Sequence, residues 1–159
     1  MGPKGESTRQ KLLSPIKMWF YARKYLPSLN FWKIKVNELN EKKCLVSLPF
    51  RNTTKNPFES IYFAAMMGAG ELSTGALCMV HLADRGSWSM LVTDFKASFY
   101  KKTSEKIIFT CKQGEQLEAF LDMTEKTGKP GKISMESIGK NQSGEDVVKI
   151  EVTWSFKKR

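Results

Sequence analysis

Residues 61–83 read Ile-Tyr-Phe-Ala-Ala-Met-Met-Gly-Ala-Gly-Glu-Leu-Ser-Thr-Gly-Ala-Leu-Cys-Met-Val-His-Leu-Ala, and Glu71 is the one charged side chain among them. So long an apolar run exceeds a single strand and reads as a helix. The segments before and after it alternate as strands do. A chain of this pattern folds as one buried helix wrapped in sheet. It also places a carboxylate in apolar surroundings, where desolvation raises its pKa and fits it to act as a base or a nucleophile.

The same run is long enough to span a bilayer, but it carries the central Glu, three glycines, Ser, Thr and His. A mid-helix acid alone costs about 2.5–3.5 kcal/mol on insertion scales. We therefore expect a core helix and no membrane span. The chain's 159 residues suit a single domain, 1–159, in which 1–29 is an N-terminal tail and helix and 30–159 the core. Its 26 Lys and Arg against 16 Asp and Glu give a formal charge of +10, which favours anionic partners. The basic residues are dispersed and no nucleic-acid motif accompanies them, so nucleic acid is not expected as a partner. Cys44, Cys78 and Cys111 sit singly in apolar stretches without CxxC spacing. That pattern points to reduced core thiols in a cytoplasmic protein and to no metal site. The first residues lack the apolar core of a signal peptide, and Glu6 stands where a myristoylation signal needs Ser or Thr.

Along the chain, Ser14-Pro15 predicts an N-cap with proline at N1, opening a helix that ends near Leu26-Pro27. Alternation predicts a hairpin of strands 31–37 and 43–50 about a polar turn. The central helix is expected over about 58–83, its small residues letting a sheet approach the axis. A long strand follows at 87–100, with Leu91, Thr93, Phe95, Ala97 and Phe99 on one face, and then a strand at 106–112. Residues 114–125 are either a short helix or an irregular excursion. A last hairpin, 132–140 with 145–157, turns Val148, Ile150, Val152, Trp154 and Phe156 inward. The fold class is α+β: a curved antiparallel sheet of five or six strands around one long helix, with an extra N-terminal helix.

This order of elements, with an acid in mid-helix, resembles the hot-dog fold of acyl-CoA thioesterases, in particular the phenylacetate-pathway-like branch. The likeness covers about residues 30–157 and is sharpest over Asn56–Gly75, where Asn56 stands fifteen residues before Glu71 as in that branch. Where the family often has His-Gly-Gly at the start of the helix, this chain has Tyr62, Phe63 and Ala64. The resemblance implies a homodimer, possibly a tetramer, hydrolysing an acyl thioester at the dimer interface, with coenzyme A as part of the substrate and no other cofactor. A non-catalytic acyl- or CoA-binding module of the same fold is the alternative that the missing His-Gly-Gly leaves open.

Thioester hydrolysis needs an activated water or nucleophile, an oxyanion stabiliser and an acyl pocket. Glu71 is the candidate base or nucleophile, unless it is merely paired with a Lys or with the Ser73 or Thr74 hydroxyl. The free backbone N–H groups of a helix N-terminus suit an oxyanion, and the family position of those donors falls on Phe63 and Ala64. Asn56 either orients water or the thioester, or caps the helix with Pro57 at N1 and Glu59 at N3. Thr93 matches a family hydroxyl on the following strand, ahead of Ser89. Lys96, Lys101 and Lys102 either meet the coenzyme A phosphates or solvate an edge. His81 lies ten residues beyond Glu71, about 15 Å along a helix, too far to share a reaction centre with it.

Overall fold

In the computed structural model, which describes residues 1–159, the chain runs α1 (Pro3–Leu13), α2 (Pro15–Tyr25), α3 (Pro27–Trp32), β1 (Lys35–Leu39), β2 (Cys44–Leu48), α4 (Phe63–Leu82), β3 (Trp88–Phe99), β4 (Ile107–Cys111), α5 (Gly114–Thr127), β5 (Gly131–Lys140) and β6 (Asp146–Lys158). Six strands form one antiparallel sheet in the order β1-β2-β4-β5-β6-β3. The inward residues of β2, β4 and β6 fall at the period of two that a one-sided sheet requires. They include Val46, Leu48, Ile107, Phe109, Ile150, Val152 and Phe156, all fully buried around α4. Each such side chain contributes about 1.5–3 kcal/mol by leaving water. Helix α4 is long and apolar enough to cross a bilayer by length and composition, and 67% of its most apolar window is buried in the fold.

The small residues of α4 set how close the sheet comes. Ala65, Ala69 and Ala76 have no exposed surface, and a Cβ added at Gly70 would lie 2.4 Å from Ile150 Cδ1 of β6. Ser73 in turn donates its hydroxyl to Gly70 O and makes a 2.7 Å hydrogen bond with Ser137 of β5. This buried pair ties helix to sheet without leaving a polar atom unsatisfied.

Several elements differ from the sequence expectation. The central helix begins at Phe63, with Tyr62 as its extended N-cap, so Asn56-Pro57 does not cap it. The Asn56 side-chain oxygen instead accepts from Phe58 N (3.0 Å), Ser60 N (3.2 Å) and Ser60 Oγ (3.2 Å), closing a turn in which Glu59 takes φ 55°. The first strand starts at Lys35, because Trp32 ends α3 and Lys33 adopts a left-handed cap (φ 57°, ψ 34°). Its apparent alternation ran across a helix end. The proposed tail is helix α1, held by Asp84 at the end of α4, whose carboxylate accepts from Gly2, Lys4 and Gly5 N–H at 2.7–2.9 Å. Residues 114–127 are helical, closed by Gly128 at φ 64°. Ser14 caps α2 as expected, accepting from Lys17 N.

Strand β3 lies at one end of the sheet and pairs only with β6. Its register shifts between Val92 and Asp94, so Thr93 is the extra residue of a bulge. The expected common face is therefore split. Met90, Val92, Phe95 and Ala97 pack against the core, while Leu91, Thr93 and Phe99 are exposed.

Candidate active site

Glu71 lies midway along α4, half-buried, and neither a hydrogen bond nor an ion pair engages its carboxylate. Burial alone pushes its pKa above the ordinary 4.5. The structural partners that the sequence offered are committed elsewhere. Ser73 bonds Ser137 and Gly70 O, while the Thr74 hydroxyl donates to Glu71 O (2.9 Å) and accepts the buried Trp154 indole N–H (3.0 Å). No lysine reaches Glu71. The room it occupies comes from a missing side chain, since a Cβ at Gly75 would lie 3.2 Å from Glu71 Oε1 and 3.3 Å from Trp154 Cζ2. The carboxylate thus leans along α4 toward Gly75, beside the Trp154 ring. The Tyr21 phenol of α2 is pushed up by burial first, then by Tyr25 and by Glu71, and its hydroxyl lies 4.0 Å from Met79 Sδ of α4. Two turns further along α4, a groove of about 560 Å³ is lined by Lys11, Lys17, Phe20, Tyr21, Tyr25 and Met79 among others; Glu71 is not in its lining.

The other end of the expected chemistry sits at the start of α4. Ala65 N and Met66 N donate to Tyr62 O at 3.1 and 3.3 Å, while Phe63 N–H and Ala64 N–H have no acceptor and no side chain caps them. They are the orphan donors that a helix N-terminus presents. Phe63 is half exposed, its ring set edge-on to Tyr62 at 4.9 Å. Ala64 and Glu71 are seven residues apart, about 10 Å along the axis, and the carboxylate leans away from the N-terminus. The acid and the free N–H groups of one chain therefore do not meet.

The remaining candidates are dispersed. The Asn56 oxygen is taken up by its own turn. Thr93 is exposed, and its hydroxyl donates to Thr153 O at 3.3 Å. Lys101 Nζ is held by both Glu145 oxygens at 2.7 and 2.6 Å, an ion pair that leaves little free charge for a ligand. Lys96 and Lys102 are exposed and make no ion pair. His81 Nε2 lies 2.8 Å from Glu41 O near the end of α4, as a helix-end histidine would. Tyr21, Thr74, Gly75 and Trp154 were not foreseen as site residues. Only Gly75 left a signal, a missing side chain one turn after the single acid of an apolar helix; nothing in the sequence pairs Trp154 with Thr74.

Where α4 is not covered by sheet, Ala64, Met67, Gly68 and Glu71 form a stripe at helical spacing that reaches solvent. Phe58, Tyr62 and Phe63 expose large apolar surface near its start, and β3 offers a free edge of 12 residues.

The chain matches the family described as "Domain of unknown function (DUF4442)" over residues 19–156. None of the curated proteins matches it. Among solved structures it is similar to a Pseudomonas aeruginosa protein of unknown function, named a probable thioesterase, with TM-score 0.76 and 15% identity over 94% of this chain and 99% of that one. A thioesterase of Haemophilus influenzae gives TM-score 0.69 at 10% identity, over 90% of each chain. A Chlorobaculum tepidum protein of unknown function gives 0.76 at 15%, over 93% and 99%. At these identities the likeness shows the fold, the hot-dog arrangement of a sheet around one helix.

Proposed function

The chain belongs to the DUF4442 family of hot-dog domains, and from that premise we propose that it is an acyl-CoA thioesterase whose helix carboxylate, Glu71, drives hydrolysis. One observation carries this reading. Glu71 is a half-buried carboxylate with raised pKa and no partner in the protein, on a stripe of α4 open to solvent. An acid kept only for structure would be paired, because desolvation without compensation is a cost the fold gains nothing from. In the proposed reaction Glu71 takes a proton from the water that attacks the thioester carbon, or attacks that carbon itself to form an anhydride that water then cleaves. The free N–H groups of Phe63 and Ala64 receive the developing oxyanion, and as it collapses the C–S bond breaks and the thiolate leaves, taking up the water's proton to depart as free thiol. The acyl chain follows the groove beside Tyr21 and Met79, and the exposed, unpaired Lys96 and Lys102 are the cations left for the coenzyme A phosphates. Three buried thiols suit a reducing, cytoplasmic setting.

The separation of Glu71 from the helix start within one chain supports a site shared between two copies, with the acid of one facing the N–H groups of the other. The free β3 edge and the half-buried apolar residues along it suit such a homodimer. Phe63 and Ala64 in place of glycines favour the second reading, an acyl-binding module without turnover. Thiol release from acyl-CoA substrates of graded length tests both. Wild type should turn over, and Glu71→Gln should lower the rate by ~10²-fold or more with the fold intact. Equal rates would remove Glu71 from the mechanism, and silence at every chain length would leave the binding module.

A further inference from the structure

Helices α2 and α3 lie in a stretch of the chain that carries cations and exposed apolar side chains but no carboxylate. Between Glu6 and Glu38 the sequence has no carboxylate, yet it holds Arg9, Lys11, Lys17, Arg23, Lys24, Lys33 and Lys35. Arg9 pairs with Glu6. The other six are exposed and make no ion pair, and the segment holds no carboxylate to offset them. Large apolar side chains stand among these cations: Ile16 is 71% exposed, Phe20 63%, Phe31 60% and Tyr25 58%, with Trp19 at 42%. At about 100° per residue, Ile16, Phe20 and Arg23 share the face of α2 opposite the buried Met18 and Ala22. The patch is built rather than loose. Trp19 packs edge-on against Phe20 at 5.0 Å, Arg23 lies over the Trp19 ring at 5.5 Å, and Asn30 of α3 donates to Trp19 O at 2.9 Å.

We propose that the α2–α3 face docks on an anionic lipid surface, with Ile16, Phe20 and Phe31 entering the acyl boundary and Trp19 and Tyr25 at headgroup depth. Lys17, Arg23 and Lys24 of α2 beside its exposed apolar side chains, with Lys33 at the end of α3, give the composition of an interfacial helix. A second copy of the chain is a poor occupant, since a two-fold contact would set this uniformly basic patch against itself. The groove beside Tyr21 and Met79 opens on the same side, through Lys17, Phe20 and Tyr25, so a lipid-borne ligand would arrive next to it. The proposal does not depend on thioester hydrolysis.

Co-sedimentation of the full chain with vesicles tests it without reading turnover. Binding is expected to phosphatidylcholine vesicles containing 30% phosphatidylglycerol, at least about ten-fold tighter than to phosphatidylcholine alone, and to be lost in high salt. Lys17→Gln with Lys24→Gln should weaken it on the order of ten-fold or more, at several-fold per cation. Phe20→Ser should weaken it as well, and these exposed positions leave the fold intact by circular dichroism. The proposal fails if anionic vesicles leave the protein in the supernatant, or if neutral vesicles hold it equally. It fails also if Phe20→Ser leaves vesicle binding unchanged but dissociates the protein in sedimentation velocity, which would make the face a self-contact. A single-stranded oligonucleotide that out-competes the vesicles and loses affinity in Phe20→Ser would assign the face to nucleic acid instead.

Discussion

Glu71 was legible in the sequence because it is the one charge in an apolar helix, and the structure adds that nothing neutralises it. Its pKa is raised by burial, so the folded state holds the proton more tightly than the unfolded chain does. The sign follows: its contribution to stability is full below the unfolded value and is lost as pH rises through the folded one. Glu71→Gln should therefore melt with wild type near pH 4 and above it at pH 8, a difference calorimetry at the two pH values reads directly. If the acid is the working base, kcat/KM should rise with pH through that same raised value. Gly75→Ala probes its position. The added Cβ meets Glu71 Oε1 at 3.2 Å and Trp154 at 3.3 Å, so the carboxylate must move, and turnover should fall on the order of ten- to a hundred-fold in an otherwise folded protein. Unchanged kinetics would show that the carboxylate's lean toward Gly75 has no bearing on the reaction. Asn56 shows where residue reading failed. Asn-Pro-x-Glu is a capping pattern, but the chain uses that side chain to close a turn several residues before the helix starts.

At the scale of elements, strands were readable wherever a single periodicity held, as in β2 and β6, and α4 by the length of its apolar run. Boundaries slipped where two elements adjoin without a break: Trp32 and Ile34 look like one strand, though a left-handed Lys33 separates a helix from it. The bulge at Thr93 was invisible because period-two counting has no term for an inserted residue. Helix α1 was missed because its N-terminus is satisfied by Asp84, from a distant segment. Burial alone would raise the Asp84 pKa, but the N–H groups of Gly5, Lys4 and Gly2 and the N-terminal charge hold it below its ordinary value. That help is present above the unfolded pKa and fades as pH falls through the folded one. Asp84→Ala should expose α1 to limited proteolysis while the core resists; an unchanged digestion pattern would count against the cap. Close helix–sheet contact is tested by Gly70→Ala, whose Cβ runs into Ile150 and should cost about 1–3 kcal/mol in urea denaturation.

For the whole molecule, the six-stranded sheet around a buried helix followed from the order of periodic segments, since few other layerings bury that helix. A site shared between two copies was expected from the family resemblance and from no periodicity in the chain; the lean of one side chain and two N–H groups lacking acceptors are what now support that proposal. The central proposal is that acyl thioesters are hydrolysed where Glu71 of one copy meets the start of α4 in another. Phe63 is the first residue of that helix, where proline is well tolerated and removes one free N–H, and Tyr62 already has the extended backbone a following proline needs. Thiol release by Glu71→Gln alone, Phe63→Pro alone, and the two unfolded and refolded together in equal amounts decides the matter. Each variant alone should be nearly inactive, and the mixture should recover about a quarter of the wild-type rate, because half of the dimers are mixed and each holds one intact site. A mixture no more active than its parents, beside an active wild type, would contradict the shared site.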